Sequence, residues 1–300
     1  MIDISNISES FSDNSEKLSS SALFKMVYRL CEDLQRVQLS HENRIRQILP
    51  ALSYTIKPPR KAFSWEEYFA QSADVLLSEK ERVLRLAEQL LKLDDLGKWM
   101  LAQKGIGPSL GVSILGEIMP IGGGCIPLPN AGPTDKPFLH TETCRFINVQ
   151  KLWAYAGLHV LPDGTAPRKK KGEKAPWNWR LKTRLWVFAS VILKTSVRRI
   201  NNQKVRVGGT WYNVYIQRKE YEYTKYNLPW PPPEVEEGIE AVVYPPIVDP
   251  ITGVVTIVPR SIVLHNRSIR YMEKMLLKDI WRVAHNQPPL CGIINPTLER

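Results

Sequence analysis

Lys104, Gly105, Ile106, Gly107 and Pro108 constrain this chain more than any other five residues. Two glycines around one apolar residue make a turn that tolerates positive φ, and the proline after them fits a first helical position, where its missing N–H costs nothing. Leu110, Ile114 and Ile118 then recur every four residues, the spacing of one helix face. The stretch predicts a helix, a two-glycine hairpin and a second helix. In such a hairpin the backbone is bare, so N–H groups opening the second helix can meet a phosphate with no Cβ in the way. Lys104, Gly105, Ile106, Gly107 and Ser109 are therefore candidate nucleic-acid contacts, with an ordinary αα-turn as the plainer alternative.

Upstream, Leu23, Val27, Leu30, Leu34, Val37, His41, Ile45 and Ile48 repeat at three- and four-residue intervals and predict a helix over 21–48. Pro50, Pro58 and Pro59, with Lys57, Arg60 and Lys61 nearby, mark a basic connector. A second helix is predicted over 78–100, with Ser78 as N-cap, Glu79 and Glu81 in its first turn, and Val83, Leu86, Leu90, Leu93 and Leu96 as its stripe. Both read as scaffold. A dimerising coiled coil would give the same pattern, which leaves the oligomeric state open. Residues 1–20 are polar and Ser-rich, with neither a basic start nor an apolar run, and are expected to form a disordered tail and no secretory signal.

After the hairpin, residues 120–144 are rich in proline and glycine and are expected to be an inserted loop. Gly122, Gly123 and Gly124 are not followed by Gly-Lys-Ser/Thr, so a phosphate-cradling nucleotide loop is not expected there. A short amphipathic helix follows from Phe146, closed by Gly157 in the C′ position, with Phe146, Trp153 and Tyr155 read as core. Residues 211–223 predict a helix with an aromatic face, 234–260 a small hairpin or extended excursion, and 265–285 an amphipathic closing helix that offers Arg267, Arg270, Lys274, Lys278 and Arg282 to solvent. The expected fold is mainly α: a helical region over 21–100, a hairpin-centred domain with the basic block over 101–200, and a helical region with the excursion over 201–300.

Charge narrows the partner. The chain carries a formal +11 with a pI near 9.4, and residues 167–206 alone hold thirteen Lys or Arg against Glu173, a local +12. The rest is close to neutral. So dense a block is costly to pack unless an anion meets it, and phosphate is the obvious candidate. The block supplies Arg168, Lys169, Lys170, Lys171 and Lys174 on a loop flanked by Gly164 and Gly172, then a helix from Trp179 with Lys182 and Arg184 opposite its apolar face. Arg180 joins this candidate set. Trp177, Trp179 and Trp186 lie among these charges and read first as core anchors, with base stacking as the alternative. No apolar run approaches the ~18 residues needed to span a bilayer. Cys31, Cys125, Cys144 and Cys291 form no C-x-x-C pair and read as reduced thiols of a cytoplasmic protein.

The hairpin from Lys104 to Ile118, the segment Lys151-Leu152-Trp153-Ala154-Tyr155-Ala156-Gly157-Leu158, the basic loop, and Leu181-Lys182-Thr183-Arg184-Leu185 resemble, in order and spacing, the C-terminal helix-hairpin-helix domain of DEDD-type insertion-sequence transposases and Piv-type DNA invertases. The resemblance covers about 93–196. The end of the chain, from His265 to Trp281, is similar to shorter mobile-element proteins that carry this domain without the rest. The resemblance implies a prokaryotic, nucleoid-associated DNA-binding protein with a part in transposition or recombination. Full-length members carry an RNase-H-like domain whose carboxylates bind divalent metal, and no strand run bearing such carboxylates is expected here. They also place a nucleophilic serine after the Ala-Gly-Leu segment, where this chain has Pro162, Asp163, Gly164 and Thr165. Thr165 is the candidate nucleophile at that place, with Asp163 or His159 as its base.

Three functions follow from these readings. One is a DNA-binding transposase-like protein, working with or without a separate nuclease. Another is an active recombinase requiring magnesium. The last is a structural or RNA-binding protein that has kept the fold. No cofactor is evident from the residues. A carboxylate cluster of Asp94, Asp95, Glu117 and Asp163 is not expected.

Overall fold

The computed structural model describes residues 20–55, 65–121, 125–127, 138–140, 146–162, 164–169, 171–200, 203–230, 246–248, 255–256 and 259–291. These residues are mainly helical, with eight helices and three two-stranded ribbons among them. Residues 1–19 of the expected tail, the basic connector at Lys57–Lys61, Asp163, Lys170 and all of 234–245 lie outside the described residues.

The chain divides into two compact units, the first formed by Met1–Gly97 with Pro108–Met119, the second by Lys98–Gly107 with Pro120–Arg300. In the first unit, α1 (Ser20–Thr55) pairs with α2 (Trp65–Leu93), and α4 (Pro108–Ile118) packs on both. Bonds between His41 Nε2 and Ser72 Oγ (2.7 Å) and from Lys80 Nζ to Gln38 Oε1 (3.1 Å) climb one helix as they descend the other, so α1 and α2 run antiparallel. Their core is Phe24, Val27, Tyr28, Val83, Ala87 and Leu91. The stripe predicted for α1 is thus rotated: Leu23, Leu30 and Val37 are exposed, and Phe24 and Tyr28 take the inner face. Leu86 and Leu93 of the second predicted stripe are likewise exposed.

The predicted helix over 78–100 begins earlier and breaks. Ser78 caps nothing, lying inside α2 with its hydroxyl on the Val75 carbonyl (2.8 Å). At the far end Asp94 stops α2 and caps α3 (Asp95–Ala102), its carboxylate accepting the Gly97 N–H at 2.9 Å. Gly97 can sit there because a Cβ would lie 2.3 Å from the Leu91 carbonyl oxygen. α4 is buried almost all round, which its run of Val112, Ile114, Leu115 and Ile118 requires, and Gly116 lets the Tyr28 ring approach, a Cβ there falling 2.9 Å from it.

The second unit is built on α8 (Ser261–Ala284), against which α5 (Val149–Tyr155), α6 (Trp179–Thr195) and α7 (Thr210–Thr224) all pack. Leu264, Met272, Leu276, Leu277, Ile280 and Val283 form its buried face, and Leu152 of α5, Leu181, Leu185 and Phe188 of α6, and Trp211 and Tyr215 of α7 are buried on the helices packed against it. Phe188 and Trp211 meet edge to face at 5.7 Å. Buried Glu222 of α7 receives Arg218 and, across the helix pair, Arg267 of α8 at 3.4 Å. Asp279, fully buried, accepts the backbone N–H groups of Leu290 and Cys291, both at 2.8 Å, and so ties down the segment after α8.

Three antiparallel ribbons complete this unit: β1 (Cys125–Pro127) with β2 (Phe138–His140), β3 (Val197–Ile200) with β4 (Gln203–Arg206), and β5 (Ile247–Val248) with β6 (Val255–Thr256). The last is the hairpin expected within 234–260. The first corrects the reading of 120–144 as loop alone, and the second, in the basic block, has no counterpart in the sequence reading. The closing helix also differs from expectation, because its cations do not simply face solvent. Arg270 donates to the His159 carbonyl (3.4 Å), Lys274 sits 4.8 Å from the Trp153 ring centroid, and Arg267 reaches Glu222.

Candidate nucleic-acid interface

The turn after α3 is locked from within. Gln103 is buried, its backbone N–H on the Met100 carbonyl (3.0 Å), its side-chain amide on the Trp99 carbonyl (3.0 Å), and its own carbonyl accepts the Ile106 N–H (3.1 Å). Gly105 takes φ +90°, and a Cβ there would lie 2.6 Å from Cδ1 of Ile192, so the turn seats directly on α6. Ile106 is 4% exposed and its N–H is spent inside the turn. It anchors the hairpin and offers nothing to a ligand, which corrects its place among the contact residues. Lys104 and Gly107 are exposed, and the space in front of Gly107 is open. Pro108 opens α4 as expected, and Ser109, exposed in its first turn, accepts the Ser113 hydroxyl on its carbonyl at 2.6 Å.

Lys104 is not an isolated cation. Its Nζ donates to the Gly208 carbonyl at 3.3 Å, beside Gly209, and both glycines take positive φ (+72° and +141°) immediately before α7. This Gly208–Gly209 corner was missed in the sequence. Paired glycines before a threonine are its only mark there, and nothing links them to Lys104, which lies 104 positions away.

Downstream, Asn148 caps α5 through the Lys151 N–H (2.9 Å), and α5 ends as predicted at Gly157, with φ +67°. Asn178 caps α6 through the Leu181 N–H (3.0 Å) and also binds Tyr155 Oη (2.7 Å), so the end of α5 fixes the start of α6. Between them lies the basic loop. Leu161 and Thr165 close a small turn, the Leu161 N–H on the Thr165 carbonyl at 2.9 Å. Pro167 is buried, whereas Arg168, Lys169, Lys171 and Lys174 of the loop that follows are exposed. Thr165 is exposed as well.

On α6 the candidates separate. Arg180 and Arg184 are half-exposed, Arg180 lying 5.7 Å from the Trp179 ring. Lys182 turns inward: its ammonium sits 4.7 Å from the Trp177 ring and 3.5 Å from the Gly157 carbonyl, and burial, then the nearby Arg270 charge, push its pKa down. The expectation that Lys182 stands on the solvent side with Arg184 is therefore corrected. Lys182 and Arg270 flank Glu273, a carboxylate only 3% exposed, whose pKa burial pushes up to about 7 against the pull of both cations. The imidazole Nδ1 of His159, whose carbonyl holds Arg270, is buried without a hydrogen bond.

The tryptophans also depart from the core reading. Trp177 is half-buried against Gly157, where a Cβ would fall 2.6 Å from its ring, whereas Trp179 and Trp186 are 63% and 59% exposed. Hydropathy could not separate them, because it gives all three tryptophans the same inward preference, although Trp177 lies before the helix and Trp179 and Trp186 within it.

No group of three His, Cys, Asp or Glu side chains that could hold a metal ion occurs among the described residues, so the donor set for a magnesium-dependent strand transfer is not found there. Asp94 is engaged as a cap, Glu117 faces Tyr28, and Asp163 lies outside the described residues. No helix among the described residues is long and apolar enough to cross a membrane. No protein-family model, curated protein or solved structure matches the chain.

Proposed function

We propose that the chain is a transposase-like DNA-binding protein of a mobile element, which grips duplex backbone and takes part in transposition or recombination. The observation that carries this reading is the exposed run of Arg168, Lys169, Lys171 and Lys174 leading into α6, a helix with Arg180 and Arg184 and no Asp or Glu. The loop cations are exposed to solvent and can meet phosphates, and neutralising phosphates releases counterions. Lys104, close to the open space in front of Gly107, adds a point where a backbone strand can come close. Such contacts are indifferent to sequence, so they position the protein rather than specify a target.

Gel-shift titration of duplex DNA tests the reading: a salt-sensitive shift supports it, and the absence of any shift at low salt sinks it. Supercoiled plasmid incubated with protein and magnesium separates binding from catalysis. The binding reading expects neither nicked nor joined products, whereas either product would assign strand chemistry to this chain.

A further inference from the structure

Trp179, Thr183 and Trp186 recur at four- and three-residue steps and are all exposed, forming one outward strip on α6. The two indoles are seven positions apart, about 10 Å along the helix axis. Two large aromatic rings left in solvent on a well-packed helix are a standing cost that burial elsewhere did not relieve, and exposed aromatic patches of this kind mark interaction sites. We propose that this strip is a stacking platform for unpaired bases of single-stranded DNA. The inference rests on the DNA-binding reading and adds what form of DNA the α6 face takes.

The chemistry of the surroundings chooses the occupant. The Arg180 guanidinium lies 5.7 Å from the Trp179 ring, Arg184 follows one turn later on the flank of the helix, Lys194 is exposed farther along, and α6 has no carboxylate. A second copy docking this face against itself would bring like charges together, which is unfavourable. A nucleic-acid strand brings phosphates to the arginines and π-faces to the indoles at once. Duplex DNA presents only base edges, its π-faces being covered by neighbours, so the tryptophans discriminate in favour of unpaired DNA.

Fluorescence anisotropy with an end-labelled oligo(dT) and with a duplex of equal length, at one salt concentration, tests this on the full chain. In Trp179→Ala/Trp186→Ala, affinity for oligo(dT) should fall about tenfold or more, from ~1–3 kcal/mol per stacked base, with duplex affinity within about twofold of wild type. Trp179→Phe/Trp186→Phe should recover part of the loss. Unchanged thermal melting establishes that the exposed rings are not needed for folding. Equal loss on both DNAs, no loss on either, or a change of oligomeric state as the only effect overturns the stacking platform while leaving duplex binding intact. Absence of binding by the wild type to either DNA overturns the DNA-binding reading itself.

Discussion

Gly157 and Gly105 let the backbone pass close to Trp177 and to Ile192 of α6. Both hold positive φ, which costs a residue with a Cβ about 1–2 kcal/mol. At Gly157 the added Cβ would also meet the Trp177 ring at 2.6 Å, a rigid group held under Lys182, whereas at Gly105 it meets the mobile end of Ile192. Gly157→Ala should therefore destabilise the chain by about 2–5 kcal/mol, and Gly164→Ala, with open space around it, only by the backbone strain of about 1–2 kcal/mol. Urea midpoints of the two variants check the order, and equal losses would contradict the contact with Trp177. Glu273 makes a second prediction, in pH. Its carboxyl ionises near the ordinary value in the unfolded chain but at about 7 when folded, so between these points the folded state holds the extra proton. The stability it contributes is complete below the unfolded pKa and is lost as pH rises to about 7, a fall of order 3 kcal/mol. Glu273→Gln should flatten the stability profile between pH 5 and pH 7; a profile as steep as wild type would assign the slope to other groups.

Among the helices, what the sequence made legible was the existence of each long periodic segment, and what it hid was phase and interruption. Leu23, Leu30 and Val37 satisfy helical spacing as well as Phe24 and Val27 do, and only the partner helices decide which set turns inward. Asp94 interrupted a stripe that Leu93 and Leu96 carry across the break without a gap, because the capping bond to the Gly97 N–H is local and leaves the apolar spacing intact. Removing that bond in Asp94→Ala should cost about 1 kcal/mol, read as a lower urea midpoint; an unchanged midpoint would mean that α3 needs no cap. The hairpin and the Gly157 end of α5 were legible because glycine and proline act through their own backbone. The inward turn of Lys182 and the outward turn of Trp179 and Trp186 were not. Charge and hydropathy assign each residue its usual side, and here the Trp177–Gly157 packing draws the lysine in while the filled face of Leu181, Leu185 and Phe188 leaves no room for the indoles.

For the molecule as a whole, net charge is a local property. The +12 of residues 167–206 exceeds the +11 of the entire chain, so the rest contributes no attraction to a polyanion on balance. The exposed loop and α6 should thus dominate association. Lys104, engaged with Gly208, and Lys182, desolvated over Trp177, should each matter less than their charge suggests. If, as proposed, exposed cations of this block meet DNA phosphates, the slope of log K against log salt for duplex binding reads that contact. Each phosphate neutralised adds about −0.9 to that slope. Wild type should show a steep negative slope, and Arg168→Ala/Lys169→Ala/Lys171→Ala/Lys174→Ala should make it shallower by up to about 3.6. A wild-type affinity indifferent to salt, or a quadruple variant with the wild-type slope, would contradict the account.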